Sequence, residues 1–248
     1  MIIACYVLHY GREWLKYSIR SVIDRVDEVC IFYSPIPSHG HGTNMVNPET
    51  RGDLLEITQQ FEHKHKVYWY DAPGPFEHEG KHRTWAVNTC RERGADKVLV
   101  VDFDEIWPPA YLEYALANSD DFRTYRVSMR HFWRSLGWYC DDPAMPTRII
   151  NWTSKMGEEG YLDPDECKVL HMGYAQSPAI IEYKQSIHGH KGEWRDGWFE
   201  NIFMAWKPGD KDVHPTNIDY WTPVQLYWKS ALKPLFSDHP YWGKEIIE

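Results

Sequence analysis

The stretch VLVVDFDEIW, residues 98–107, decides how the chain is read. Val98, Leu99, Val100 and Val101 form an unbroken apolar run. A half-exposed strand would place a polar residue at every second position, so the run reads as a strand buried on both faces. It ends in Asp102, Asp104 and Glu105, with Phe103 between the two aspartates. A buried strand that ends in acids fits an open α/β sheet, where ligands sit at the carboxyl ends of the strands. Side chains two apart in an extended segment share a side, so Asp102 and Asp104 are expected to converge on one cation while Phe103 faces away. Two carboxylates with room for water and phosphate suit Mg2+ or Mn2+, which share oxygen ligands with a diphosphate and stabilise its departure as Lewis acids. The competing account is that the acids cap the following PPAYLEYAL helix. One acid would serve that purpose, and three carry a mutual repulsion that capping does not require.

Upstream of this stretch, strand and helix patterns alternate. MIIACYVL is a strand-length apolar run, and YGREWLKYSIRSVIDRV sets Leu15, Ile19, Val22 and Val26 on one helical face. VCIFYS is a second strand, GDLLEITQQF a helix through Leu54, Ile57 and Phe61, and KVYWY a third strand. KHRTWAVNTCRER is a helix stopped at Gly94. This order predicts a mostly parallel, three-layer α/β sheet over residues 1–107. Downstream the rhythm changes. PPAYLEYALANS reads as a short helix, TYRVSMRHFW as an added half-exposed strand, and RIINW and CKVLHMG as short strands. SPAIIEYKQSI and DGWFENIFMAW read as helices, and the last forty residues have no clear period. One sheet, extended by a mixed second half, is the expectation.

The 248 residues can bury a sizeable core, and the apolar (43%) and charged (25%) fractions are those of a globular chain. Thirteen Trp and 16 Tyr are an excess that needs explaining. A formal charge of −9 opposes polyanion binding unless basic residues gather on one face. The five cysteines, at 5, 30, 90, 140 and 167, have neither CxxC nor zinc-ligand spacing and read as free thiols of a reducing compartment. No run approaches the roughly 20 apolar residues of a membrane span, and MIIACYVLHYGREW lacks signal-peptide character, so a cytoplasmic location is expected.

Taken in order and spacing, YVLHYGREWLKYSIRSVIDRVDEVCIFYS, KHRTWAVNTCRERGADKVLVVDFDEIW, PTRII and KVLHMGYAQSPAIIEYK resemble the family 2-like glycosyltransferases of the GT-A fold, in the branch with a DxDE-type metal motif. The resemblance covers roughly two thirds of the chain. It implies a GT-A-like three-layer α/β sandwich with a mostly parallel, Rossmann-like central sheet. Residues 1–107 would form the nucleotide-sugar (donor) half, and residues 108–248 the acceptor-side half of the same domain. The implied activity moves a sugar from a nucleotide-diphosphate sugar to an acceptor hydroxyl, with inversion. By the same resemblance Asp102 and Asp104 bind the metal and the donor diphosphate, Glu105 supports them, and His171 is a third metal ligand. Lys81, Arg83 and Asn88 match positions facing the donor, Arg83 being suited to phosphate in two contacts. Arg148 and Lys184 match basic positions for the diphosphate.

The chain departs from the family pattern in three places. Ser34 and Pro35 stand where the family carries acids for the base and ribose, leaving the nucleotide open. Two HGH segments, at His39 and His41 and at His188 and His190, have a spacing compatible with a metal or with a glycine-rich loop. The proton-accepting carboxylate is not fixed either: Asp141, Asp142, Glu193 and Asp196 all qualify, with Glu193 favoured because it lies in a Gly-bounded loop between aromatic and basic residues. Trp133, Trp138, Trp194 and Trp198 fall on the acceptor side, and Trp138 and Trp194, flanked by polar residues and glycine, are the candidates for stacking on an acceptor ring. The acceptor stays open among a glycan, a lipid-linked sugar, a protein, a small molecule and a modified nucleic-acid base. For the last, Arg126, Arg130 and Arg134 would share one strand face, with Arg123 off it. YWTPVQLYWKSALKPLF could touch a bilayer or pack across the sheet. Two rival functions are a nucleotidyltransferase, for which LHYGRE is a poor phosphate loop, and a non-catalytic carbohydrate-binding or scaffold protein, which has no need of both aspartates.

Overall fold

The computed structural model describes residues 1–37, 43–62, 66–154, 156–189, 191–217, 219–226 and 229–247. Its first half alternates as β1 (Ile2–Leu8), α1 (Leu15–Val22), β2 (Glu28–Tyr33), α2 (Arg51–Glu62), β3 (Lys66–Asp71), α3 (Glu79–Glu92) and β4 (Lys97–Val101). The four strands are parallel, in the order β3-β2-β1-β4, with Cys5 of β1 level with Cys30 on one side and Val100 on the other. Every residue of β2 and β4 is buried. The cause is helix cover on both faces: Ala4, Tyr6 and Leu8 pack with Leu15 and Ile19 of α1, while Ile3 and Cys5 pack with Ala86 and Cys90 of α3. This is a mixed α/β structure with three layers.

The second half comprises β5 (Glu105–Ile106), α4 (Pro109–Ala117), β6 (Thr124–Arg126), β7 (Ser128–Trp133), β8 (Trp138–Asp142), β9 (Thr147–Asn151), β10 (Glu159–Tyr161), β11 (Lys168–Tyr174), α5 (Pro178–Ile187), β12 (Val224–Gln225) and α6 (Lys229–Phe236). Here the expected single sheet is two. β9 pairs antiparallel with β4, β6 with β9, and β10 parallel with β6, completing a seven-stranded sheet. A second sheet runs β12-β8-β7-β11-β5. The alternating run TYRVSMRHFW is divided between them. Its register shifts between Tyr125 and Arg126, Val127 donates its N–H to the Pro146 carbonyl, and the chain then pairs with β8 and β11. A register shift of this kind bends a strand and re-aims the residues beyond it.

The arginine stripe expected along that run does not form. Arg126 pairs with Glu159 at 2.8 Å, Arg130 with Asp141 at 2.9 Å, and Arg134 donates to the Trp206 carbonyl at 2.7 Å. Arg123 lies over Trp152, 5.6 Å from the ring centre. Most of the aromatic excess is core: Trp133, Trp194, Trp198, Trp206 and Trp221 pack together beneath the second sheet's edge. DGWFENIFMAW contains a π-helix, Phe199–Met204, within this cluster. From the C-terminal segment, Leu232 and Phe236 of α6 also join the core, packing with Trp14, Tyr17 and Ile106. Among the described residues no helix is long and apolar enough to cross a membrane.

Candidate active site

β4 stops at Val101, and the acids lie in the turn that follows it. Glu105 donates its N–H to the Asp102 carbonyl (3.0 Å), and its own carboxylate accepts the Asp102 N–H (3.2 Å). Residues 102–105 are therefore folded back rather than extended, and the two-residue period that would have pointed both aspartates at one cation does not apply. The acids also do not cap α4, whose N-cap is Pro108 without a side-chain cap.

The turn divides the carboxylates between two sets of partners. Asp102 accepts from Arg83 of α3 (2.7 Å) and from Arg148 of β9 (2.9 Å). Glu105, fully buried, takes the same Arg148 through Nε and Nη2 at 2.5–2.9 Å. Asp104 faces elsewhere. Its Oδ1 lies 3.3 Å from His171 Nε2 on β11, and its Oδ2 accepts from Gln176 (3.1 Å) and lies 3.8 Å from Lys184 Nζ on α5. Its carbonyl receives the Met172 N–H at 2.7 Å, which ties the turn to β11. Burial pushes the Asp102 carboxyl up, but the Arg83 and Arg148 guanidiniums outweigh it and hold the group below the usual carboxylate range. Burial opposes ionisation of Asp104 too, and His171 and Lys184 bring it below its ordinary value. For Glu105 burial and the Asp102 charge prevail over Arg148, and its carboxyl is raised.

These side chains border a cleft at the carboxyl ends of β1 and β4, formed by Leu8, His9, Tyr10, Arg83, Asp102, Phe103, Asp104, His171 and Lys184. Its cavity volume is about 220 Å³, smaller than a typical drug-sized ligand site, and it adjoins a second cavity. Gly11 shapes its wall. With φ at +146°, a Cβ there would meet the Phe103 ring at 2.5 Å, so only glycine lets that ring seat against Tyr10, 4.7 Å away. Arg83 Nη1 is buried and has no hydrogen-bond partner among the described residues, a donor aligned with no protein acceptor.

The three expected metal ligands line one cleft; Asp104 and His171 lie 3.3 Å apart, and both oxygens of Asp102 accept from guanidiniums. No group of three or more His, Cys, Asp or Glu side chains with metal-holding geometry occurs among the described residues. One carboxylate oxygen and one imidazole nitrogen fit a hard cation only as part of a shell completed by water and substrate phosphate, a habit of Mg2+ and Mn2+.

A second cavity adjoins the first and shares His171, Lys184 and His188 with it. Asp142, Glu193, His131, His214, Asn217 and Trp221 line it. His131 and His171, opposite one another on β7 and β11, are hydrogen-bonded through their Nδ1 atoms at 2.7 Å. His131 Nε2 reaches Asp142 at 3.5 Å, and Asp142 accepts from the Tyr220 hydroxyl (2.9 Å), Ala144 N–H (2.7 Å) and Trp221 Nε1 (3.2 Å). Trp221 has φ +64°, a conformation bulky residues adopt only when their surroundings impose it.

The remaining predicted residues scatter. Lys81 and Asn88 are exposed on α3 and do not line either cavity. Asp141 is paired with Arg130 and Lys168, and Asp196 lines a separate groove with Trp194 and Phe199. Trp138 packs edge-on against Trp206 (5.2 Å), and Trp194, 8% exposed, is wedged between His188 (5.4 Å) and Trp198 (4.9 Å). Neither tryptophan presents its face to the two cavities, because the second sheet needs them to fill its core. His39, His41 and His190 lie outside the described residues. Sequence reading missed His131, Gln176, His214 and Trp221. Only the pairing of β7 with β11 reveals His131, and nothing in the local sequence around the other three marks them.

No protein-family model matches the chain, and no curated protein matches it. Among solved structures the chain is similar to S. aureus TarS, at 13% identity over 75% of this chain and 64% of that one, with a TM-score of 0.44. The TarS structure in complex with UDP-GlcNAc is 18% identical over 53% of this chain and 35% of that one (TM-score 0.38). The inositol-1-phosphate CTP transferase from T. maritima is 8% identical over 75% and 95%, with a TM-score of 0.39. The chain thus spans between 35% and 64% of the length of these two TarS structures.

Proposed function

We propose that the chain is a glycosyltransferase that binds a nucleotide-diphosphate sugar in the first cavity and passes the sugar to an acceptor hydroxyl presented from the second. The observation that carries this reading is the turn after β4, which sets Asp104 beside His171 and Lys184 while Asp102 fixes Arg83 in the same cleft. Arg83, with its unpartnered Nη1, and Lys184 suit the diphosphate. Asp104 and His171 would hold Mn2+ or Mg2+, and that ion supplies charge stabilisation to the leaving diphosphate. Arg148 and Glu105 act from behind, keeping Asp102 and through it Arg83 in position.

Glu193 is the proton acceptor in this scheme, because it lines the second cavity at an exposed position in a Gly-bounded loop. The acceptor oxygen bonds to the anomeric carbon from the face opposite the diphosphate. The carbon–oxygen bond to the diphosphate breaks with its electron pair staying on the diphosphate, and the hydroxyl proton passes to the Glu193 carboxylate. The configuration at that carbon inverts.

A thermal-shift series with UDP, GDP, CDP, ADP and dTDP, each with and without Mn2+, tests the donor site. One nucleotide should raise the melting temperature in a Mn2+-dependent way, and Asp104→Asn should abolish the rise. No shift with any nucleotide under either condition would remove the reading.

A further inference from the structure

The second cavity has a different chemistry from the first. Its carboxylates, Asp142 and Glu193, outnumber its one lysine among the described lining residues, and that lysine, Lys184, stands on the rim shared with the first cavity. Burial pushes its inner imidazole His214 below the ordinary histidine value. His214 Nδ1 accepts the backbone N–H groups of Thr216 (3.2 Å) and Asn217 (3.0 Å), so Nε2 carries the proton and is a donor. The lining also holds two large aromatic rings, Tyr174 and Trp221. Trp221 is fixed by its bond to Asp142 and by packing against His131 and His214, each 4.5 Å away.

These groups select among the acceptors left open by the sequence. Carboxylates repel phosphate and accept hydrogen bonds from hydroxyls. Trp221, 7% exposed, contributes apolar wall to this lining, against which the C–H groups of a saturated ring can pack. The arginines that might have tracked a nucleic-acid backbone are engaged with Glu159, Asp141 and the Trp206 carbonyl. Resting on the glycosyltransferase reading above, we infer that the second cavity is the acceptor site and takes an uncharged, hydroxylated ring, a sugar or cyclic polyol, in preference to a phosphorylated or nucleic-acid acceptor.

Ligand-observed NMR on the full chain tests this with four probes: methyl β-glucopyranoside, myo-inositol, glucose 6-phosphate and a short single-stranded oligothymidylate. One or both neutral probes should bind, and Asn217→Ala and Glu193→Ala, both at exposed positions, should weaken that binding by about tenfold with the circular-dichroism melting curve intact. Preference for glucose 6-phosphate or the oligonucleotide overturns the inference, as does neutral binding that ignores both substitutions, or no neutral binding at all. The nucleotide series on wild type separates the two claims. A nucleotide shift without neutral-ring binding leaves the donor site standing and removes this acceptor assignment. Ring binding that is lost in both variants, without any nucleotide shift, keeps the ring site and removes the transferase reading.

Discussion

At Arg148 one guanidinium spans two carboxylates, Asp102 and the fully buried Glu105, and its own side chain is 10% exposed. Removing the arginine strands the buried Glu105 without its cationic partner, while Asp102 keeps Arg83. Arg148→Met should therefore lower stability by about 3–5 kcal/mol in urea unfolding. The double substitution Arg148→Met with Glu105→Leu should cost less than the single one, since it removes the stranded buried charge as well as its partner. A double variant as unstable as the sum of its parts would show that the pair is held by something other than mutual compensation. The same residue helps hold Asp102, whose oxygens accept from Arg148 and Arg83, and the adjacency of the two acids in sequence says nothing of that.

At the scale of elements, α6 closes the second core against α1. Phe236 is fully buried among Trp14, Tyr17 and Ile106, and Asp238 just beyond the helix is paired with Lys16 (3.2 Å) and Arg20 (2.9 Å). The exposed ion pairs contribute little by themselves, while the buried ring is worth far more. Phe236→Ala should destabilise the protein by about 3–5 kcal/mol, read from a urea melt followed by Trp fluorescence. A cost below ~1 kcal/mol would mean that the helix lies loosely on the surface, as an interfacial segment would. The turn after β4 is the other decisive element. It converts two acids that a continuing strand would aim together into one that anchors arginines and one that meets His171.

For the whole molecule, pH reports on two deeply buried imidazoles. His239, stacked on Trp14 at 3.9 Å, and His82, stacked on Phe76 at 4.5 Å, are 4% and 1% exposed. Burial depresses both to about 4. Their unfolded-state value lies near 6.5, so above that pH neither state is charged and the folded chain keeps its full stability. Between about 6.5 and 4 the unfolded chain takes up protons that the folded chain refuses, at about 1.4 kcal/mol per pH unit for each histidine. Urea midpoints should therefore fall from pH 7 to pH 5, before most carboxylates titrate, and His239→Asn should reduce the slope. A flat profile over that range would contradict the assignment.

The sequence by itself determined the three-layer α/β half: unbroken apolar runs require cover on both faces, and the alternating helices supply it. It also located Asp104, Arg83, His171 and Lys184, which the fold brings to one cleft. Tertiary structure alone decided the rest. The splitting of residues 124–133 between two sheets depends on which edges are available for pairing, and a local alternation is the same in either sheet. The proximity of His131 to His171 depends on strand register, and the fate of each tryptophan depends on what packs over it. Asp102 and Asp104 part company because Arg148 arrives from β9 and His171 from β11, contacts between residues more than 40 positions apart that no window of sequence contains.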